Sequence, residues 1–225
     1  MIFSKDRSYY IGASDTSYVV GNWETASFAK WYGTKLGIYE SNFTNDSMLA
    51  GTAYEHRILE SLKIKNLEMD KQIIKGRLRV NLDGNTKEEI YEVKTHNNNK
   101  KFVVSKSYRN QVNVEMYAFD IRKAKIVSYA LNEEDYKNFY NDIDDERICF
   151  YKIEYDKEFI DSIYIPRFCY LSICLEKGRF PNIEEFNKWK SQERFLISRR
   201  IIKQINSASL LKSTKLPQLS PSTTS

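Results

Sequence analysis

The chain has 225 residues, of which 41% are hydrophobic and 14% aromatic, which is enough for one substantial core and a globular protein. No uninterrupted apolar run approaches the roughly 20 residues of a membrane span, and charged residues begin too early for a signal peptide. We therefore expect a soluble, intracellular protein without a membrane partner. The net charge of +5 is modest, so any surface that binds nucleic acid must be local. The three cysteines lack a C-x-x-C pair and are expected to be buried apolar side chains.

Hydrophobic periodicity and chain-breaking residues predict helices and strands in alternation. Helices are expected at 14–21, 25–36, 45–63, 105–121, 133–141 and 157–177, and strands at 77–82, 90–95, 125–131 and 147–155. This order indicates an α/β fold in which helices flank a central mixed β-sheet. We expect one domain over residues 1–204 and a disordered tail over 205–225, where Ser, Thr, Lys and Pro are frequent.

The segment 77–95 predicts a β-hairpin that brings acidic and basic side chains together. Both of its halves have a strand-like pattern, and Gly84 marks the turn. Side chains alternate faces along a strand, so Glu92 and Lys94 point the same way, about 7 Å apart. The hairpin returns Asp83 towards them. An acid-x-base triplet is common by chance in so charged a chain, and a solvated hairpin with a cross-strand ion pair is the alternative interpretation.

Two carboxylates beside one ammonium are the groups that a metal-dependent nuclease needs. Oxygen ligands suit Mg²⁺ or Mn²⁺, which share their remaining coordination with substrate phosphate. Such a metal stabilises charge on the scissile phosphate and generates the attacking hydroxide. Lys94 would hold or polarise that water. The sequence therefore predicts a nuclease with Asp83 and Glu92 at its metal site.

Two further polar residues fall on apolar helix faces. Glu55 stands three, four and seven residues before aliphatic side chains, so it lies on the apolar stripe of its helix. An ionised carboxylate there needs a cation or metal, unless its side chain reaches water. Gln111 shares a face with Val114 and Ala118. Its amide needs partners, which either the backbone or a substrate could supply.

Five segments carry motifs in a fixed order along the chain. They are Arg7 seven residues ahead of Ser14 in Ile11-Gly12-Ala13-Ser14-Asp15, then Gly51-Thr52-Ala53-Tyr54-Glu55, then Asp83 with Glu92-Val93-Lys94, then the helix 108–117 around Gln111, and finally 175–181. Together they resemble the lambda-type phage exonucleases and YqaJ-like viral recombinases, a branch of the PD-(D/E)xK nuclease superfamily.

This resemblance implies a restriction-endonuclease-like core and a Mg²⁺-dependent DNA exonuclease in which Mn²⁺ can substitute. Such an enzyme degrades one strand of linear double-stranded DNA from its 5′ end and leaves a 3′ single strand for recombination. The resemblance also implies partners: DNA ends, a single-strand annealing protein and further copies of the chain in a ring. If the protein is viral, it would work in the cytoplasm of the host cell.

The resemblance also implies a role for each matching residue. The implied metal ligands are Asp83, Glu92, Glu55 and the carbonyl of Val93. Lys94 would orient the attacking water, and Gln111 would position the nucleophile. Arg7 and Ser14 would receive the 5′-phosphate, the first by a charge-assisted fork and the second through its hydroxyl near a helix N-terminus.

Two other functions fit part of the pattern. A restriction-like or structure-selective endonuclease would use the same metal chemistry with a different DNA-binding periphery. Arg7 and Ser14 favour the recognition of ends over this alternative. A non-catalytic DNA-binding protein of the same fold is the other alternative, and the intact set of Asp83, Glu92 and Lys94 speaks against it.

Overall fold

The computed structural model describes residues 8–40 and 46–192, with 46–50 described by their backbone alone. The chain divides into two compact units, Met1–Phe180 and Pro181–Ser225. The predicted domain over 1–204 stays a prediction, and the predicted tail over 205–225 lies outside the described residues. None of the helices in the described ranges combines the length and the apolar character that crossing a membrane requires.

The first unit is built on a six-stranded mixed sheet. Its strands are β1 Ile11–Gly12, β2 Glu68–Lys75, β3 Leu78–Asn85, β4 Glu89–Asn97, β5 Lys123–Leu131 and β6 Ile148–Glu154. β1 pairs with β3 and β4 with β5 in parallel, whereas the β2–β3, β3–β4 and β5–β6 pairs are antiparallel. This architecture confirms the predicted α/β fold with helices around a central mixed sheet.

The helices lie between these strands in the chain and after the last of them. They are α1 Thr16–Val20 after a 3₁₀ turn Ala13–Asp15, α2 Ala26–Lys35, α3 Asp46–Ser61, α4 Lys106–Phe119, α5 Glu133–Lys137 and α6 Ile165–Glu176, which follows a π-helical segment Phe159–Tyr164. The second unit contributes α7, Ile183–Ser191. Side-chain caps begin two helices where the sequence placed them: Thr25 accepts from the amide of Phe28, and Ser105 accepts from the amide of Tyr108.

The sequence pattern missed β1, β2, α7 and a 3₁₀ turn at Asp145–Arg147. β2 lacks a clean alternation of apolar and polar residues because five of its eight residues are exposed. This exposure is expected of a strand that pairs only with β3. β1 is too short to show a period. The expectation for the cysteines was correct for Cys169 and Cys174, which are buried, and wrong for Cys149, which is exposed on β6.

One helix packs closely against the sheet beside the acidic hairpin. α3 buries Tyr54, Ile58 and Leu59 in a core cluster that includes Tyr91 and Val93 of β4. Gly84 permits this approach, because a Cβ atom there would lie 3.0 Å from the Leu59 side chain. The glycine that marks the predicted turn therefore lies within β3 and allows the helix to lie directly on the strand.

Candidate active site

The regular backbone pairing of the β3–β4 hairpin ends next to its acidic residues. The β3–β4 ladder pairs Gly84 with Tyr91 and Asn85 with Ile90. Beyond Gly84 the Asp83 side chain replaces the ladder, because its Oδ2 accepts from the backbone amide of Val93 at 2.7 Å. The two strands therefore meet at Asp83 through a side chain, which fixes this carboxylate beside Glu92.

Glu92 is the most enclosed of the predicted site residues that the structure describes, with 3% of its surface exposed. Its Oε1 accepts from the Lys94 ammonium at 2.5 Å and from the Gln111 amide at 2.5 Å. Its Oε2 takes no hydrogen bond from the residues that the structure describes. One oxygen is therefore held by the protein, and the other is available to a ligand.

Gln111 reaches the sheet from α4. Its Nε2 donates to Glu92 and also to Oε1 of Glu115, one helical turn further on, at 2.9 Å. Carboxylates accept and an amide nitrogen has two protons to donate, so these contacts fix which end of the amide faces the sheet. The sequence left the backbone and a substrate open as partners of Gln111, and the structure gives it the side chains of Glu92 and Glu115 instead.

Glu55 joins the group from α3. Its carboxyl group lies close enough to those of Asp83 and Glu92 for both to act on its pKa. The side chain is half-buried rather than fully extended into water. The structure thus brings together acids from a helix and two strands: Glu55, Asp83 and Glu92.

Burial and mutual repulsion make this a site where carboxyl groups hold their protons. Burial, with the charges of Glu92 and Glu55, raises the pKa of Asp83 well above its usual range, although Lys94 and the Val93 amide oppose the shift. Burial and the Glu92 charge raise the pKa of Glu55 in the same way. Burial would lower the pKa of Lys94, but the charges of Glu92 and Asp83 outweigh it and raise that pKa. The single ammonium of Lys94 therefore does not offset the burial and mutual repulsion of these carboxyl groups.

A divalent cation fits this donor set. The carboxyl groups of Glu55, Asp83 and Glu92 come from three chain segments and lie near enough to act on one another, and hard divalent ions prefer oxygen ligands. Burial raises these pKa values first and repulsion among the acids adds to it, and a bound cation would oppose both effects. Asp83, Glu92, Glu55 and the Val93 carbonyl are the groups that could hold it.

Among the described residues, one group of ligating atoms is compact enough to hold a metal ion, and it includes Glu55. One ligating atom each from Glu55, His56 and Asp70 lies within 4.8 Å of the other two. Asp70 lies opposite Asp83, because the flanking pairs are Met69 with Gly84 and Lys71 with Leu82. The sequence pattern could not indicate Asp70, since β2 shows no clear period. His56 and Asp70 are exposed and bonded to each other at 3.1 Å.

Aromatic side chains border the ammonium of the site. Lys94 Nζ lies 5.3 Å from the ring centroid of Tyr108. Phe102 stacks on Tyr108 and also contacts the rings of His96 and Tyr151. This face of the site is therefore apolar and half-buried, which strengthens the electrostatic interactions beside it.

The proposed phosphate-binding pair is only partly described. Arg7 lies outside the described residues, and Ser14 is exposed in the turn between β1 and α1. Its neighbour Asp15 has a structural role: it accepts from the Gly12 amide, the Trp31 indole and the Lys35 ammonium. The Ser-acid segment thus orders the chain ahead of α1 and leaves the Ser14 side chain at the surface.

Sequence reasoning missed one side chain at the centre of the site. Glu115 is 1% exposed, bonds to Gln111 and lies close enough to Glu92 and Lys94 for their charges to act on it. The available signal was its spacing of four residues from Gln111, which places both on one helix face.

The fold is an α/β architecture built on a mixed six-stranded sheet, with the hairpin acids on β3 and β4. Neither a family model nor a curated protein sequence matches the chain.

Solved structures share the fold. The alkaline exonuclease LHK-Exo from Laribacter hongkongensis is similar with a TM-score of 0.55 at 19% identity, over 77% of this chain and 93% of that one. LHK-Exo in complex with dAMP gives a TM-score of 0.55 at 18% identity, over 86% and 97% of the two chains. A phage-related exonuclease from Haemophilus somnus 129PT gives 0.53 at 15% identity, over 77% and 96%. The resemblance seen in the motifs is thereby confirmed in the fold.

Proposed function

We propose that this chain is a metal-dependent deoxyribonuclease that resects linear double-stranded DNA from 5′ to 3′. The observation that carries the proposal is the meeting of Glu55, Asp83 and Glu92 beside Lys94 and Gln111. The proteins that share the fold are described as exonucleases, and one of them binds the deoxynucleotide dAMP. These descriptions support DNA as the substrate.

The metal would be Mg²⁺, with Mn²⁺ able to replace it, held by Asp83, Glu92, the Val93 carbonyl and Glu55. A bound divalent ion supplies positive charge to a phosphate and lowers the pKa of a coordinated water. The site residues supply the rest. Lys94 remains charged beside Glu92 and can therefore donate to the attacking water or to a phosphate oxygen.

Gln111 restrains the oxygen of Glu92 that faces Lys94. Because Glu92 Oε1 has two donors, the carboxylate cannot rotate freely, and its other oxygen keeps one direction. The rings of Tyr108 and Phe102 on the side of Lys94 limit water around the ammonium. Preorganised charges in a partly dry site are what phosphodiester hydrolysis requires of a protein.

End recognition would belong to Arg7 and Ser14. A guanidinium forks across two phosphate oxygens, and the Ser14 hydroxyl is exposed ahead of α1. A 5′-phosphate held there would make the enzyme select ends. A single-strand annealing protein and a ring of identical chains remain proposed partners.

The test is the cleavage of two substrates of equal sequence. We expect a 5′-phosphorylated linear duplex to lose nucleotides in Mg²⁺, with a label at the 5′ end released first. We expect no cleavage in EDTA and none of a covalently closed circle. Cleavage of the closed circle would instead indicate an endonuclease. Binding without cleavage in Mg²⁺ or Mn²⁺ would indicate a non-catalytic DNA-binding protein.

A further inference from the structure

Glu115 is a buried acid that the proposed chemistry does not use directly. It lies on α4, one turn after Gln111, and is 1% exposed. Its Oε1 accepts from Gln111 Nε2 at 2.9 Å. Its Oε2 is buried and has no hydrogen-bond partner among the described residues.

Such a group is costly for folding. Burial of a polar atom without a partner destabilises a protein, and the charge of Glu92 adds to the effect of burial on Glu115. An apolar side chain of similar length, such as Met, would fill the same space without an unpaired oxygen. Stability alone therefore does not account for an acid at this position.

The contacts of Glu115 lead to Glu92 in two steps. Glu115 holds one proton of the Gln111 amide, and the other proton is donated to Glu92 Oε1 at 2.5 Å. Lys94 donates to that same oxygen at 2.5 Å. Without Glu115, the Gln111 side chain would lose one of its two anchors and could turn away from the sheet.

We propose that Glu115 is a positioning residue of the nuclease site, which holds the Gln111 amide against Glu92 and so directs the free Glu92 oxygen towards the metal. This proposal rests on the proposed function. It assigns to Glu115 no contact with DNA or with the reacting atoms.

The decisive comparison is between two substitutions at one position. Glu115→Gln keeps an oxygen that can accept from Gln111, whereas Glu115→Met removes it at similar volume. We expect Glu115→Met to raise the Mn²⁺ concentration for half-saturation about tenfold, the scale of a lost hydrogen bond to a charged group. We expect Glu115→Gln to stay within about threefold of the unmodified chain. Calorimetric titration with Mn²⁺ alone measures both values without cleavage.

Two further measurements separate positioning from packing. Thermal unfolding of Glu115→Met in EDTA should occur at the same or a higher temperature than that of the unmodified chain, since the substitution removes a buried unpaired oxygen. In a double-mutant cycle, Glu115→Met should have almost no further effect on Mn²⁺ affinity in a Gln111→Met background, because Glu115 acts through Gln111.

Asn113 provides a matched control on the same helix. It is 4% exposed, and its side chain bonds to the backbone at Glu154 and Asp156, away from the acids. Asn113→Ala should therefore lower thermal stability and leave the Mn²⁺ affinity unchanged. A loss of affinity in Asn113→Ala as large as that in Glu115→Met would overturn the proposal, since a general effect of packing would then explain both.

The outcomes for Glu115 and for the proposed function are distinguishable. If the unmodified chain degrades DNA and Glu115→Met leaves both its rate and its Mn²⁺ affinity unchanged, the positioning role is overturned and the nuclease stands. If the unmodified chain binds Mn²⁺ without degrading DNA and Glu115→Met alone weakens binding, the role stands and the nuclease fails. If the unmodified chain binds no Mn²⁺, both are overturned.

Discussion

Replacing Lys94 by methionine tests the electrostatics of the site most directly. The substitution keeps the aliphatic stem and removes the ammonium, which lies 2.5 Å from Glu92 Oε1 and is 20% exposed. Removal of one partner from a buried ion pair costs about 3 to 5 kcal/mol. Gln111 continues to donate to the same oxygen, so we expect a loss near the lower limit, about 3 kcal/mol at pH 8. For a unit of this size that corresponds to a fall of roughly 6 to 12 °C in melting temperature.

The pKa shifts of the site determine how stability changes with pH. The pKa of Lys94 is raised in the folded chain, so its stabilising effect is fully present below its ordinary value of about 10.4 and is lost only at higher pH. The pKa values of Asp83 and Glu55 are also raised. The folded state therefore binds more protons than the unfolded one, and stability falls as pH rises above about 4 towards those raised values.

Without the ammonium these acids should hold their protons to still higher pH. The loss of unfolding free energy in Lys94→Met should consequently be smaller near pH 5.5 than near pH 8. Urea unfolding in EDTA at both pH values measures this loss of unfolding free energy.

The control is Lys125→Met, which breaks a more exposed pair with Glu89 at 2.9 Å and should cost at most about 1 kcal/mol. A deficit under about 1 kcal/mol, or one equal at both pH values, would refute the electrostatic account. Cleavage should also slow by about two or more orders of magnitude.

Further substitutions test the other parts of the site. Asp83→Asn and Glu92→Gln should each abolish Mg²⁺-dependent cleavage, and Asp83→Asn should raise the melting temperature in EDTA near pH 8 by removing a buried, repelled carboxylate; retained cleavage in either variant would contradict the assignment. Gly84→Val should destabilise the chain by about 1 to 3 kcal/mol, because its β-carbon would lie 3.0 Å from Leu59, and denaturant unfolding would show no change if that contact were harmless. Arg7→Ala should reduce the preference for a 5′-phosphorylated duplex by about ten- to a hundredfold, measured as initial rates on paired 5′-phosphate and 5′-hydroxyl substrates; an undiminished preference would remove Arg7 from the end-binding pocket.

Contacts between residues that are close in the sequence could be predicted from the geometry of strands and helices. The separation of two residues between Glu92 and Lys94 places both on one strand face, and the structure joins them directly. The predicted hairpin is present, although only two residue pairs of its ladder form before the strands separate. The α/β class followed in the same way from the order of the elements.

Contacts between distant segments could not be read from spacing. Glu55 meets Asp83 because α3 packs on β3 at Gly84, and no periodicity within a single helix indicates which strand that helix will cover. Asp70 illustrates the same limit, since its position opposite Asp83 depends on the register of an exposed edge strand. Residues of this kind can be assigned to a site only when the pairing register of their strand is known.

Glu115 was missed for a different reason, which concerns energy rather than geometry. Its spacing from Gln111 was visible in the sequence, but an acid at that position has an ordinary surface interpretation. Only the fold shows that its side chain is enclosed, that one oxygen is unpaired and that Glu92 repels it. Because each of these features disfavours folding, their presence together indicates selection for something other than stability. The same reasoning applies to Asp83 and Glu55: their burial and mutual repulsion disfavour folding, and the cation that we propose for this site would offset that cost.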